Sequence, residues 1–298
     1  MDKILTAGLS PAIQKIILLP ALSKGKVNRA SEYLIDAAGK SINVCRVLVQ
    51  AGMEAEAVIP AGRESLGVFE KLCKKDNIFC TPCETSGRIR YCYTLIDTEE
   101  GSSTEIVVNE PENITRQEEE SYKDLFIKKI KEDIRCVIVS GSRLSGFSSA
   151  VIPFMLEETK KRGILFIADY KGEDLKNSFI NKEIRPDYIK INEEELIETF
   201  GREEADISTL SEKYSNTFVI TSGEKSISFA SSGKAGSLPS KKLKAVNPIG
   251  CGDAFTAGLA EGVIKKMSLA EAVEKGRDYA ARNALSLHPG WINIKESI

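Results

Sequence analysis

From about residue 130 onward, short apolar runs alternate with stretches in which apolar residues recur at helical spacing. Residues 135–141 (RCVIVSG) form a β-branched run ending in glycine, and 148–163 (SSAVIPFMLEETKKRG) follow as a helix closed by Gly163. The series continues with strands at 164–169 (ILFIAD), 188–192 (YIKIN, opening into a Glu-rich helix start) and 217–223 (TFVITSG). Two helices, 251–266 and 269–286, end it. Strands that are apolar throughout and separated by helices predict a mostly parallel sheet covered on both faces, with ligands at the carboxyl ends of its strands.

The first third has a different pattern. AIQKIILLPAL and KVNRASEYLIDAAG predict two strands joined by a polar turn, and 88–110 (RIRYCYTLIDTEEGSSTEIVVNE) predicts a hairpin around TEEGSS. Helices are expected at 41–52 and around 65–76. The strands would form a small second sheet beside a ligand crevice, the arrangement of a lid. No repeat and no Pro/Gly/Ser-rich linker divides the chain, so 1–298 is expected to be one α/β domain.

Composition excludes more than it identifies. With 42% hydrophobic and 28% charged residues and a net charge of −2, the chain is not of a disordered type and has no basic field for nucleic acid or an anionic membrane. The N-terminal apolar runs are broken by Ser10-Pro11, Gln14-Lys15 and Pro20, too short to span a bilayer, which leads to the expectation of a cytosolic protein. Seven cysteines in an odd set without framework spacing are expected to be reduced thiols. The CTPC at 80–83 is read as a pair of solvent-side thiols, because one histidine and no second CxxC make a closed zinc site a poor fit.

Four segments at predicted strand ends carry candidate chemistry. AAGKSINVCRVL (37–48) puts Gly39, Lys40 and Asn43 at a helix start, where backbone N–H groups and a lysine favour an anion and an amide can bind hydroxyls. A glycine turn with a solvent lysine explains the same residues. VSGSRLSG (139–146) ends a strand in hydroxyl residues, including Ser142, that can donate to a ligand or simply form a loop. KINEEEL (190–196) spaces Asn192 and Glu195 to share one helix face, where they can organise Mg²⁺ and its waters against phosphates. An Asn N-cap with acidic first-turn residues is the plainer account. In NPIGCGDAF, Gly250, Cys251 and Gly252 can present backbone N–H groups to developing negative charge, and Asp253 in the same turn can accept a proton from an attacking hydroxyl. An N-cap aspartate accounts for the carboxylate but not for a second glycine directly before it.

Taken in this order, AAGKSINV, VSGSRLSG, KINEEEL, FVITSGEKSI and NPIGCGDAF resemble the ribokinase-like, phosphofructokinase B type carbohydrate kinases, over nearly the whole chain. TAGLSPAIQ and the lysine of AAGKSIN are closest to the branch of 1-phosphofructokinase and tagatose-6-phosphate kinase. The resemblance implies a ribokinase-like α/β fold with lid segments at about 13–35 and 88–108, ATP and Mg²⁺ as cofactors, and a homodimer paired through the lid. It implies that Asp253 is the catalytic base and that Gly250, Cys251 and Gly252 form the anion hole. Asn192 and Glu195 match an NxxE that orders Mg²⁺, Glu195 acting indirectly through water, while Lys190, Thr221, Gly223 and Glu224 fall on the ATP side. Gln14, Gly39, Lys40, Asn43, Arg90 and Ser142 fall on the sugar side, Arg90 meeting a phosphate already on the acceptor.

Departures from the branch gather on the sugar side. Gln14 stands for an aspartate that holds sugar hydroxyls, Ser41 for a glycine and Cys92 for an asparagine, while Ser226 and Pro248 replace a glycine and a threonine near the nucleotide. The expected activity is phosphorylation of a hydroxyl on a small sugar phosphate, a ketohexose monophosphate above all. A kinase of a neutral sugar, polyol or nucleoside is the alternative of the same class, and a non-catalytic sensor of sugar phosphate or nucleotide the alternative of another. A dinucleotide oxidoreductase lacks its GxGxxG, since TAGLSP holds a single glycine.

Overall fold

The computed structural model describes residues 2–108 and 113–294. The chain opens with β1 (Lys3–Ala7), β2 (Ala12–Leu19), β3 (Glu32–Ala38), α1 (Lys40–Gln50), β4 (Ala55–Gly62), α2 (Arg63–Lys75) and β5 (Phe79–Thr85). A hairpin of β6 (Arg90–Asp97) and β7 (Ser102–Val107) follows, then α3 (Arg116–Ile130), β8 (Ile134–Ser140), α4 (Val151–Lys160), β9 (Leu165–Asp169) and α5 (Gly172–Asn177). Next come β10 (Tyr188–Asn192), α6 (Glu193–Phe200), α7 (Ile207–Tyr214) and β11 (Thr217–Thr221). β12 (Ser226–Ser231), β13 (Lys234–Pro239), α8 (Cys251–Ile264) and α9 (Leu269–Ala284) complete the described chain.

Among the described residues the larger sheet has nine strands in the order β13-β12-β11-β10-β9-β8-β1-β4-β5. It is parallel from β11 to β5, with β12 and β13 added antiparallel at one edge. Because successive strand residues face opposite ways, one segment feeds two cores. Val137 and Val139 of β8 pack with α3 and α4 on one face, and Cys136 and Ile138 pack with α1 and α8 on the other. Both faces are therefore covered, as the unbroken apolar runs predict.

The smaller sheet, ordered β3-β2-β6-β7, matches the predicted second sheet and hairpin. It is mixed, since β2 pairs with β6 in parallel while β2–β3 and β6–β7 are antiparallel. Its register sets Gln14 directly between Asp36 on β3 and Cys92 on β6.

Several elements, among them β4, β5, α3, α5, α7 and the β12–β13 hairpin, lie outside the sequence expectations, and one cysteine reading is corrected. α3 opens on a capping box in which Thr115 Oγ1 accepts from the Glu118 N–H (3.2 Å) and Glu118 Oε2 accepts from the Thr115 N–H (2.8 Å). The β12–β13 hairpin extends the sheet beyond the last apolar strand. The CTPC cysteines are not solvent-side thiols. They lie on β5, whose alternation puts residues three apart on opposite faces, so Cys83 is buried in one core and Cys80 packs partly buried against the other. That placement separates them, and all seven cysteines are free.

Candidate active site

The strands β8, β9, β10 and β11 end side by side. Ser140 stands opposite Asp169, and Asn192 opposite Thr221, which makes a polar row along the carboxyl edge of an apolar sheet. The N-terminal ends of α1 and α8 reach the same edge. Thr256 of α8 donates to Asp169 Oδ2 at 3.1 Å, and Lys40 of α1 lies 3.9 Å from Asp169 Oδ1.

Asp253 occupies the first turn of α8 and is buried. Asn43 Nδ2 donates to its Oδ2 at 2.8 Å. Burial pushes the carboxyl up from 3.8 to about 6, the negative charge of Asp169 adding to the rise while Lys40, the Asn43 hydrogen bond and Lys190 oppose it. A carboxyl in that range exchanges a proton near neutral pH, as a general base must.

The glycines before it have separate reasons. Gly250 has φ +84°, the left-handed region, and turns the chain into the helix. The Cys251 N–H goes back to the Pro248 carbonyl at 3.3 Å, and the helix's first i→i−4 bond runs from Ala254 to Gly250 (2.8 Å). The N–H groups of Gly252 and Asp253 thus lie in the unpaired first turn, where a helix accepts an anion. A Cβ on Gly252 would stand 2.9 Å from Lys190 Nζ, so the second glycine lets a lysine approach the helix start. Cys251 contributes its position to this turn, and its sulfur accepts from Asn283 Nδ2 at 3.4 Å.

Asp169, which the sequence pattern marked only as a strand end, is the charge centre of the site. Its Oδ2 accepts from Ser140 (2.8 Å) and Thr256, and its Oδ1 has no hydrogen bond among the described residues but faces Lys190 at 3.6 Å and Lys40 at 3.9 Å. Burial alone would raise this carboxyl, yet the two lysines and the two hydroxyls outweigh it and hold it below the usual carboxylate value. Two buried aspartates with opposite shifts give two roles: one stays ionised, the other titrates.

Asn192 and Glu195 form a capping box on α6, with Oδ1 accepting from the Glu195 N–H at 2.8 Å and Oε2 from the Asn192 N–H at 2.9 Å. The plainer account of these residues is therefore structurally true, but it leaves Glu195 Oε1 facing Lys40 Nζ at 3.5 Å. Lys40 lies among these carboxylates, and Asp169 above all, then Asp253 and Glu195, raise its pKa. Thr221 ends β11, and Gly223 and Glu224 form the turn into β12, where Ser222 N–H reaches the Ser226 carbonyl at 3.0 Å.

The sugar-side residues are more dispersed. Arg90 begins β6 and lines a small cavity with Pro11, Thr85, Ser86 and Asn113, and its Nε is buried without a hydrogen-bond partner among the described residues. Gln14 is buried, and its amide nitrogen donates to Thr94 Oγ1 at 2.6 Å. Asn43 has both ends engaged, one with Asp253 and the other with Arg46 Nη1 at 2.9 Å. Gly39 precedes α1, Ser41 is buried against Gly8, and Ser142 is exposed just past β8. Arg46, Asp169 and Thr256 are the participants that the sequence reading missed.

For Mg²⁺, the carboxylate oxygens of Asp169 and Glu195 that face the lysines are the ligand types a hydrated hard cation takes. Among the described residues no cluster of three or more acidic, cysteine or histidine side chains would hold a metal unaided, so such an ion would need water and phosphate oxygens as well.

A buried carboxylate beside unpaired helix N–H groups and two lysines, at the carboxyl edge of a parallel sheet, brings together the groups that a phosphotransferase acting on the hydroxyl of a small molecule calls for. The family is the pfkB family of carbohydrate kinases, to which the chain belongs: the family model matches residues 2–288. A tagatose-6-phosphate kinase of Staphylococcus epidermidis is 30% identical, over 97% of this chain and 94% of its own. Among solved structures, phosphofructokinase-2 of Escherichia coli in complex with potassium superposes with a TM-score of 0.87 at 19% identity, covering 98% of this chain and 96% of that one. A possible 1-phosphofructokinase of Thermotoga maritima gives 0.86 at 19% identity, over 98% and 94%. The fold is thus ribokinase-like, the protein is a carbohydrate kinase that uses ATP, and none of its described helices is long and apolar enough to cross a membrane.

Proposed function

We propose that the protein transfers the γ-phosphoryl group of Mg-ATP to a hydroxyl of a ketohexose monophosphate of the tagatose 6-phosphate or fructose 1-phosphate type, with Asp253 as the base. Asp253 takes the proton of the acceptor hydroxyl as the new O–P bond forms. The bond from phosphorus to the bridging oxygen breaks, and its electron pair leaves on ADP. The N–H groups of Gly252 and Asp253, with Lys190 beneath them, stabilise the charge on the transferring group. Lys40 faces the same charge from α1. Glu195 and Asp169 would hold Mg²⁺ through water, and the ion supplies charge neutralisation to the phosphates.

The observation that carries the choice of acceptor is Arg90. A buried guanidinium donor with no partner among the described residues costs free energy that an anionic oxygen would offset, and Arg90 has such a donor beside a cavity. The kinase relative that shares 30% identity is named for a sugar phosphate, which supports the same reading. Purified protein with Mg-ATP is expected to turn over tagatose 6-phosphate or fructose 1-phosphate; turnover of neutral sugars or nucleosides and of neither phosphate would defeat the assignment.

A homodimer through the smaller sheet is part of the proposal. Edge strand β7 is exposed along its length, and Val27, Tyr33, Ile106 and Val107 add exposed apolar surface to that sheet and its loops. A cytoplasmic location is also proposed, supported by seven unpaired cysteines.

A further inference from the structure

Arg46 lies in the second turn of α1, between Cys45 and Val47, and is among the largest fully buried side chains of the protein. Its Nε pairs with Asp76 Oδ2 at 2.9 Å, and its Nη2 donates to the Ala37 carbonyl. Nη1 donates twice, to Asn43 Oδ1 at 2.9 Å and to the Pro289 carbonyl at 3.1 Å. One guanidinium therefore holds the C-terminal end of α2, the chain entering α1, the amide that touches Asp253, and the loop after α9.

That loop is itself built into the anion-hole turn. A Cβ on Gly250 would stand 2.6 Å from the Gly290 nitrogen, and one on Gly290 would stand 2.9 Å from Asn43 Cα. Asn283 fastens the two together: its Oδ1 accepts from the Gly290 N–H at 2.6 Å, and its Nδ2 donates to the Ile249 carbonyl at 2.8 Å.

We infer that Arg46 is a positioning residue for phosphoryl transfer, which fixes the direction of the Asn43 amide and thereby the aim of the Asp253 carboxylate. The inference rests on the assignment of Asp253 as the base. The reason is one of donors and acceptors. An asparagine amide has one accepting and one donating end, nearly equal in shape, whereas a guanidinium only donates. Arg46 therefore claims the Asn43 oxygen and leaves the NH₂ group no direction but Asp253. A lysine supplies a point charge without the fork that reaches Asn43, Pro289 and Asp76 together. Stability alone is a weak reason for a fully buried ion pair, since apolar residues of similar volume commonly serve as well.

The test is a double-mutant cycle on the full-length protein, assayed with Mg-ATP and whichever sugar phosphate it turns over. Arg46→Lys is the first variant. Arg46→Gln combined with Asp76→Asn is the second, because it leaves no unpaired buried charge. Each is compared in the native and Asn43→Ala backgrounds, with circular dichroism and thermal unfolding as fold controls. We expect kcat to fall roughly 10- to 100-fold in the native background, the scale of a misplaced catalytic group. KM for ATP should stay within about threefold, and in the Asn43→Ala background either change should cost less than about twofold more. Unchanged kcat in a folded variant overturns the inference, as does an equal loss in both backgrounds. Failure of both variants to fold would assign Arg46 a purely structural role and overturn it too. Turnover surviving in Asp253→Asn would instead remove the base assignment beneath it.

Discussion

Replacing Asp253 with asparagine should make the protein more stable and nearly inactive, and the size of the first effect follows from the site. Burial raises the carboxyl from 3.8 to about 6, so the folded state holds its proton more tightly than the unfolded chain does. A folded-state value above the unfolded one means that an acid loses stability as pH rises from about 4 through 6. At about 1.36 kcal/mol per pH unit, the ionised carboxylate costs about 3 kcal/mol at pH 8. Asparagine keeps an oxygen to accept from Asn43 Nδ2 and carries no charge to desolvate.

The assay is thermal unfolding of both proteins without nucleotide at pH 8 and pH 5. With about 2.1 cal/mol/K of unfolding entropy per residue, 3 kcal/mol in a chain of 298 residues corresponds to a midpoint about 5 °C higher for the variant at pH 8. The gap should fall to about half at pH 5, where much of the native carboxyl is protonated. Turnover should drop by roughly two to four orders of magnitude at pH 8, and by about tenfold less at pH 5, where most of the native base is already protonated. A variant less stable than the native protein at pH 8, or a gap independent of pH, would refute the argument that Asp253 is a desolvated, titrating carboxylate.

The same titration sets the rate profile: kcat/KM should fall about tenfold per pH unit below about 6, because the base is then protonated. Steady-state rates from pH 5 to 8 check this. Arg90→Ala should raise KM for a phosphorylated acceptor by roughly 10- to 100-fold, as expected for one charge-assisted contact, and leave KM for ATP unchanged. Lys40→Met should act mainly on kcat, since its ammonium lies 3.5 Å from Glu195 and 3.9 Å from Asp169, and a selective rise in acceptor KM would contradict that. Charges introduced on the exposed edge, Ile106→Lys with Val107→Lys, should convert a dimer to a monomer in sedimentation without lowering the unfolding midpoint.

The legible parts of this chain were those where one residue type serves one purpose. Buried parallel strands such as TFVIT carry a continuous apolar run because both faces are covered, and they were readable for that reason. The β12–β13 hairpin was not, since SISFAS and KAGSLP mix small and polar residues on an edge with one side open to solvent. α3 carries a readable T-x-x-E start, but its polar, Glu-rich first turns hid the stripe of Tyr122, Phe126 and Ile130 that it buries. Asp253 stood out through the glycines beside it. Asp169 did not, because an aspartate after an apolar strand is also an ordinary turn residue, and only the lysines brought from two other elements set it apart. Arg46 had no sequence signal at all: a cation in a helix normally snorkels to solvent, and its burial depends on acceptors from α2, the entry to α1 and the far C-terminal loop.

The placement of Lys40 bears on which part of the molecule would recognise the acceptor in the proposed function. In the sequence, Lys40 and Arg90 look like two cations on one sugar side. In the fold, Lys40 lies against the carboxylates of Asp169 and Glu195, and Arg90 lies on the smaller sheet. In the proposed function, recognition would thereby be separated from chemistry. The residues that stand where the branch differs, Gln14 and Cys92, belong to the same sheet as Arg90 and form one cross-strand row with Asp36. Gln14 is turned to Thr94, while the row's carboxylate, Asp36, is paired with His288 at 2.7 Å and Lys75 at 3.5 Å. On the proposed function, acceptor selectivity would drift across the smaller sheet while Asp253, Asp169 and the lysines, mounted on α1, α8 and the parallel strands, keep the transfer geometry.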